Sequence, residues 1–238
     1  MCTDRCDNIK YAIKIIKIAA HQAEKELREV TIFSSLQNHR IVKFYQAWVE
    51  SNICVNYEEC SSSSSYSEES SMDSKYILIQ MELCASKSII FDADKSLRFF
   101  EEIVLGLKYI HDACVIHRDI KPGNIFMGQD NSIMIGDFGQ SCLCPSNFSP
   151  INGTPDQGTP FYTAPELLAN KSISVKVDIY SLELFNTFKT ASEKIDKFES
   201  YQKTEGSEFD GKWSISLFKL MTADDPQQRP SVDDILVL

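Results

Sequence analysis

Eight residues, His117-Arg-Asp-Ile-Lys-Pro-Gly-Asn124, constrain this chain more than any other stretch of it. They hold a carboxylate, a carboxamide, two permanent cations and a Pro-Gly turn. Asp137-Phe138-Gly139 follows, and later Ala164-Pro165-Glu166; Asp119 precedes Asn124 by five residues and Asp137 by eighteen. Apolar text at Val115–Ile116 and Ile133–Ile135 lies on either side of the polar, glycine-containing part. That pattern predicts a polar loop slung between short buried segments. Taken singly, Asp119 before a Pro-Gly pair is an ordinary turn residue. The ordered set is what argues for a site.

The rest of the chain supplies a scaffold in two styles. Residues 9–18 are β-branched and partly alternating, which predicts a strand. From Ala20 to Leu36 the spacing turns helical, with Ala23, Leu27, Val30 and Phe33 expected on the buried face. Ile41 to Glu50 and Tyr76 to Leu83 read as two further strands. Between them, nine of the fourteen residues from Ser61 to Ser74 are serine, with no apolar periodicity. Such text cannot bury enough surface to offset its ordering entropy, so a disordered acidic insert is expected at about 51–75. Leu97, Phe100, Val104, Leu107 and His111 trace one helix face ending near Asp112. Pro145 to Tyr162 reads as a long loop, and the last seventy or so residues as helices with a turn at Asp224–Pro230. The expectation is an α+β fold in two lobes, 1–83 and 84–238.

Charge and cysteine usage narrow the partners. Of 238 residues, 24 are Lys or Arg and 34 are Asp or Glu, a net charge of −10. A chain this acidic is a poor fit to nucleic acid or to an anionic membrane, so neither is expected as a direct partner. Glu50–Ser74 alone carries six acids and no Lys or Arg, so the remainder is only mildly acidic. No stretch approaches the roughly 18 apolar residues of a membrane span, and the start does not read as a signal peptide. The expected location is cytoplasmic. The eight cysteines show no C-x-x-C spacing and are expected to be reduced thiols.

With Tyr11-Ala-Ile-Lys14 upstream and Glu29 in the following helix, this motif set resembles the eukaryotic protein kinases from Lys14 to Arg229. The resemblance implies a two-lobed kinase fold, ATP and Mg²⁺ as cofactors, and a protein substrate. It also implies roles. Phosphoryl transfer is mostly positioning and charge stabilisation, so a cation on a strand, Lys14, would hold the α/β-phosphates, oriented by Glu29. Asn124 and Asp137 would ligate the metal through oxygen. Asp119 would align or accept the substrate hydroxyl proton, and Lys121 would neutralise the γ-phosphate. Met81 would back the adenine pocket, and the main chain of Glu82 and Cys84 would pair with the adenine edge. Glu166 with Arg229 would form a buried ion pair, and Asp178 would hold the catalytic-loop backbone. Phe33, Phe44, His117 and Phe138 match an apolar column joining the lobes. Lys14 is expected on a buried strand, because Ile13 and Ile15 flank it.

Lys121, two residues after Asp119, resembles serine/threonine rather than tyrosine kinases. Trp48 in Ile41–Glu50, followed by the serine-rich insert, resembles the initiation-factor-2-alpha kinases of translational control. That resemblance implies the alpha subunit of translation initiation factor 2 as substrate, in stress control of protein synthesis, and leaves a homodimer open. Arg118 would pair with a phosphorylated activation-loop threonine, for which Thr154 is the candidate, while Thr159 would lie in the substrate-binding turn.

Three departures stand out. Lys14 lies too near Met1 for two preceding strands and a glycine-rich loop, which points to a truncated N-lobe. Residues 178–189 lack the glycine and several apolar residues expected of a central helix, so a short helix is expected there. The stretch from Cys84 to Lys95 is compressed. These features sustain two alternatives: a pseudokinase scaffold, or a cell-cycle kinase of Wee-like or NIMA-like kind.

Overall fold

The computed structural model describes residues 2–3, 9–18, 23–51, 74–85, 96–144, 151–152, 161–187 and 215–237. They form two compact units, residues 1–34 with 44–83, and residues 35–43 with 84–238.

The first unit is a four-stranded antiparallel sheet with one helix. Its strands are β1 (Cys2–Thr3), β2 (Lys10–Lys17), β3 (Phe44–Ser51) and β4 (Lys75–Glu82), ordered β1-β2-β4-β3. One short strand does precede the Lys14 strand, with Cys2 facing Tyr11 and Thr3 facing Lys10. In the register, Lys14 lies beside Ile79 and Ile79 beside Ala47. Side chains at paired positions share a face. One face therefore carries Lys14, Ile16, Ile77 and Ile79, and Ile77 and Ile79 are buried. The opposite face carries Ile15, Leu78 and Trp48 in a cross-strand row. Ile15 is 41% exposed, so β2 is not the fully buried strand that its flanking isoleucines suggest.

Helix α1 (Ala23–Ser35) turns only part of its expected stripe inward: Phe33 is buried and Leu27 is not. Glu29, Ile32 and Phe33 are buried, whereas Leu27 is 55% exposed. The inward face also carries Glu29, whose carboxylate accepts from Lys14 of β2. Phe33 then meets Phe44 edge-to-face at 5.4 Å.

The second unit is built on α2 (Ser96–Asp112), whose Phe100, Ile103, Val104, Leu107 and Ile110 are all buried. Against it lie the hairpin β6 (Ile125–Met127)–β7 (Ile133–Ile135) and the pair β5 (Val115–Ile116)–β8 (Cys142–Leu143). Residues 35–43 dock here as well: Val42 N–H donates to Ile135 and Ile135 N–H to Arg40. Gly106 permits this approach, since a Cβ there would sit 3.3 Å from the Arg40 Cβ and 3.1 Å from Ile135. Inside the expected long loop, β9 (Ile151–Asn152) pairs with β10 (Ser172–Ile173), so that stretch is not all loop. The helices that follow are α3 (Pro165–Leu168), α4 (Lys176–Thr187), α5 (Ile215–Met221) and α6 (Val232–Leu236). Helix α4 spans twelve described residues, close to the short span expected from Asp178. The serine-rich insert and the compressed segment after Ala85 lie outside the described residues.

Candidate active site

In the first unit, Lys14 and Glu29 meet with Nζ 2.6 Å from Oε1. The lysine side chain keeps 33% exposure and the glutamate only 4%. A buried carboxylate thus fixes a cation whose head still reaches solvent, unlike an exposed pair free to rearrange. Met81 and Glu82 end β4, facing Ala12 and Tyr11 respectively. Both are partly exposed.

In the second unit, β5 delivers the chain into the loop 117–124, which closes in a 3₁₀ turn over Pro122–Asn124. The turn holds because Asn124 N–H donates to the Lys121 carbonyl at 3.0 Å. The Asn124 amide nitrogen then donates twice to Asp119, to its carbonyl and to Oδ2, each at 2.8 Å. Lys121 Nζ lies 2.7 Å from the same Oδ2. Asp119, Lys121 and Asn124 are therefore brought together. With its nitrogen turned onto Asp119, Asn124 presents a carbonyl oxygen on its other side.

Asp137 arrives from β7. It is exposed and has φ 63°, a left-handed backbone that side-chain-bearing residues adopt rarely. The residues before it leave little latitude. Gly136 N–H donates to the Asn124 carbonyl at 3.0 Å, and the Gly136 carbonyl faces His117 Nε2 at 3.2 Å. A Cβ on Gly136 would approach Val42 to 2.8 Å and the Phe126 ring to 2.9 Å. Phe138 is fully buried and contacts the His117 ring edge-to-face at 5.1 Å. His117 is completely enclosed, and burial pushes its imidazole below its usual range. A neutral ring fits its contacts, with Nε2 donating to Gly136 and Nδ1 accepting from Asp119 N–H.

Asp178, on the first turn of α4, underlies this loop. Its carboxylate accepts from the backbone N–H groups of His117 at 2.9 Å and Arg118 at 2.7 Å, and meets His111 Nε2 at 2.9 Å. Burial alone would raise its pKa, but the hydrogen bonds from His111 and from the His117 backbone outweigh that and hold it below the usual carboxylate range. Arg118 has φ 66°, is buried, and donates from Nε to the Gln140 carbonyl at 2.5 Å. His111 was legible only as a polar residue on an apolar helix face. Its pairing with Asp178, 67 residues away, left no local trace.

Glu166 and Arg229 form a two-pronged pair at 2.6 and 2.9 Å. The Arg229 side chain has no exposure, donates also to the Ala223 and Lys176 carbonyls, and stacks over Tyr180 at 5.0 Å. Lys176 returns a bond from Nζ to the Arg229 carbonyl. Cys84 is half-buried beside the Ala85–Met127 bridge. Thr154 and Thr159 lie outside the described residues.

Within the second unit the donor set suits a magnesium–phosphate group: hard oxygens on Asn124 and Asp137, with the ammonium of Lys121 beside Asp119. Among the described residues no cluster of His, Cys, Asp and Glu suits a transition metal, and no helix is long and apolar enough to cross a membrane.

Known proteins with similar sequences are kinases. The chain is 35% identical to the interferon-induced, double-stranded RNA-activated protein kinase of Mus musculus, over 98% of this chain and 46% of that protein. It is 31% identical to eIF-2-alpha kinase GCN2 of Arabidopsis thaliana, over 99% of this chain and 23% of that protein. The serine/threonine-protein kinase polo of Drosophila melanogaster matches at 33% over 73% of this chain and 27% of its own length. The chain thus spans about half, or less, of the length of these relatives. The protein kinase domain pattern matches residues 1–237, so a chain that carries its charged loop in this α+β frame belongs to the protein kinase family.

Proposed function

We propose that this chain is an ATP- and Mg²⁺-dependent serine/threonine kinase whose substrate is the alpha subunit of translation initiation factor 2, in translational stress control in the cytoplasm. One observation supports the activity above the rest. Lys121 and Asn124 converge on a single oxygen of Asp119, so the carboxylate is oriented while the lysine stays beside it. The substrate rests on similarity to the eIF-2-alpha kinases of Arabidopsis thaliana and Schizosaccharomyces pombe, the latter 27% identical over 98% of this chain.

In this reading Asp119 aligns the substrate hydroxyl and takes its proton. Lys121 offsets charge on the transferring group, and Lys14, held by Glu29, binds the nucleotide phosphates. Asn124 and Asp137 hold magnesium, which would neutralise the phosphate oxygens when bound. Met81, with the main chain of Glu82 and Cys84, receives the adenine. Arg118 reads a phosphate on Thr154, Thr159 lies in the substrate turn, and a homodimer is the assembly to test.

The test is phosphate transfer from radiolabelled ATP to recombinant initiation factor 2 alpha subunit, beside a generic basic protein, with Asp137→Asn as control. The expected result is magnesium-dependent labelling of the alpha subunit, lost in the variant. Equal signals from wild type and variant would favour a scaffold without catalysis, and preference for the basic protein would remove the substrate assignment. Phosphopeptide mapping of active protein decides between Thr154 and Thr159.

A further inference from the structure

Two cysteines of the second unit flank one end of a short ladder that touches both halves of the charged loop system. Strand β5 runs into His117 and the loop carrying Asp119, while β8 leaves Asp137–Gly139 two residues earlier. The register pairs Val115 with Leu143 and Ile116 with Cys142, so the next facing positions are Cys114 and Cys144. Just beyond the paired strands one backbone bond still joins them, Cys144 N–H donating to the Cys114 carbonyl at 2.8 Å. Facing residues of an antiparallel ladder have Cα atoms about 4.5–5.5 Å apart. Disulfides span Cα separations of roughly 4.4–6.8 Å.

Cys114 has φ 57°, a left-handed turn residue just before β5, and its carbonyl is the one receiving the Cys144 amide. Accessibility is divided between the two: Cys114 is partly exposed and Cys144 buried. Cys142, the other thiol of β8, is buried facing Ile116.

We infer that Cys114 and Cys144 form a peroxide-responsive disulfide that staples the end of α2 to the segment following Asp137. Hydrogen peroxide oxidises the accessible Cys114 thiolate to a sulfenic acid, releasing hydroxide. The Cys144 thiolate then attacks that sulfur, the S–S bond forms and a second hydroxide leaves. Two thiolates lose two electrons in total and one peroxide is reduced; with the two thiol protons counted, the products are a disulfide and two waters.

The assignment of the thiols stands apart from the proposed kinase activity, and so does its test. The whole chain is treated with hydrogen peroxide, alkylated, digested without reductant and mapped by mass spectrometry. The expected result is a linked peptide pair joining Cys114 to Cys144, two hydrogens lighter than the reduced pair and reversed by dithiothreitol. In Cys114→Ser, Cys144 should remain fully alkylatable. In Cys144→Ala, oxidation should stop at Cys114, where dimedone traps the sulfenic acid; thermal melting checks that both variants fold. A Cys142–Cys144 link, a link from Cys114 to any of the other cysteines, or persistent sulfenic acid at Cys114 in the wild type would each overturn the assignment.

Discussion

Oδ2 of Asp119 is shared by two donors of different kinds, and the two are not equivalent. Lys121 supplies charge, and Asn124 supplies geometry through its second bond to the Asp119 carbonyl. Replacing Asn124 with Ala removes both bonds and a proposed metal oxygen, so turnover should fall on the order of 10²–10⁴-fold, the range for loss of positioned proton transfer. Steady-state kinetics against ATP and protein substrate would check this. Glu166 and Arg229 pose a different problem, because their pairing is buried and removing one member strands the other's charge. Arg229→Leu is expected to cost about 3–5 kcal/mol of stability, whereas an exposed pair such as Lys108–Asp233 should give under about 1 kcal/mol. Urea unfolding of the two variants separates these values.

Among the elements, those with a buried periodic stripe were readable from the sequence and those placed by a partner were not. The α2 stripe Phe100–Val104–Leu107–His111 is buried as its spacing requires. The α1 stripe is only partly the one its apolar residues mark: Phe33 is buried, while Leu27 is exposed and Glu29 lies inward, bonded to Lys14. The β9–β10 pair was invisible for a similar reason: two residues on each side are too few for periodicity, and only the register joins them. The candidate site was legible as an ordered motif, yet the contacts that shape it, from His111 to Asp178 or Gly136 to His117, span distances no local pattern encodes. Gly136 marks where two elements cross most tightly. Gly136→Ala should destabilise by about 1–3 kcal/mol, since Val42 and Phe126 must both yield to the added carbon. Thermal melting would register it. In α6, Ser231 and Asp234 form a reciprocal cap, so Ser231→Ala should cost about 1 kcal/mol and leave turnover unchanged.

At the scale of the molecule, two buried ionisable groups tie folding to pH in the same direction. His117 has its pKa lowered from 6.5 by burial, so below about pH 6.5 the unfolded chain takes up a proton that the folded one refuses. Asp178 has its pKa lowered from 3.8, so its contribution is complete above that value and is lost as pH falls through the folded pKa. The melting temperature should therefore drop in two stages on acidification, and His117→Gln should abolish the upper stage while keeping the lower. A calorimetric series from pH 8 downward tests both; an unchanged upper stage in the variant would assign it to another group.

Asp178 carries a last implication. The amides of His117 and Arg118 hang from a carboxylate sixty and more positions downstream, so the geometry of the loop belongs to α4 as much as to the loop's own residues. During synthesis the ribosome must release α4 before those amides have anything to grip, and a nascent chain ending short of it holds every charged motif residue up to Asp137 without the means to shape them. Competence should therefore appear late and abruptly as the polypeptide lengthens.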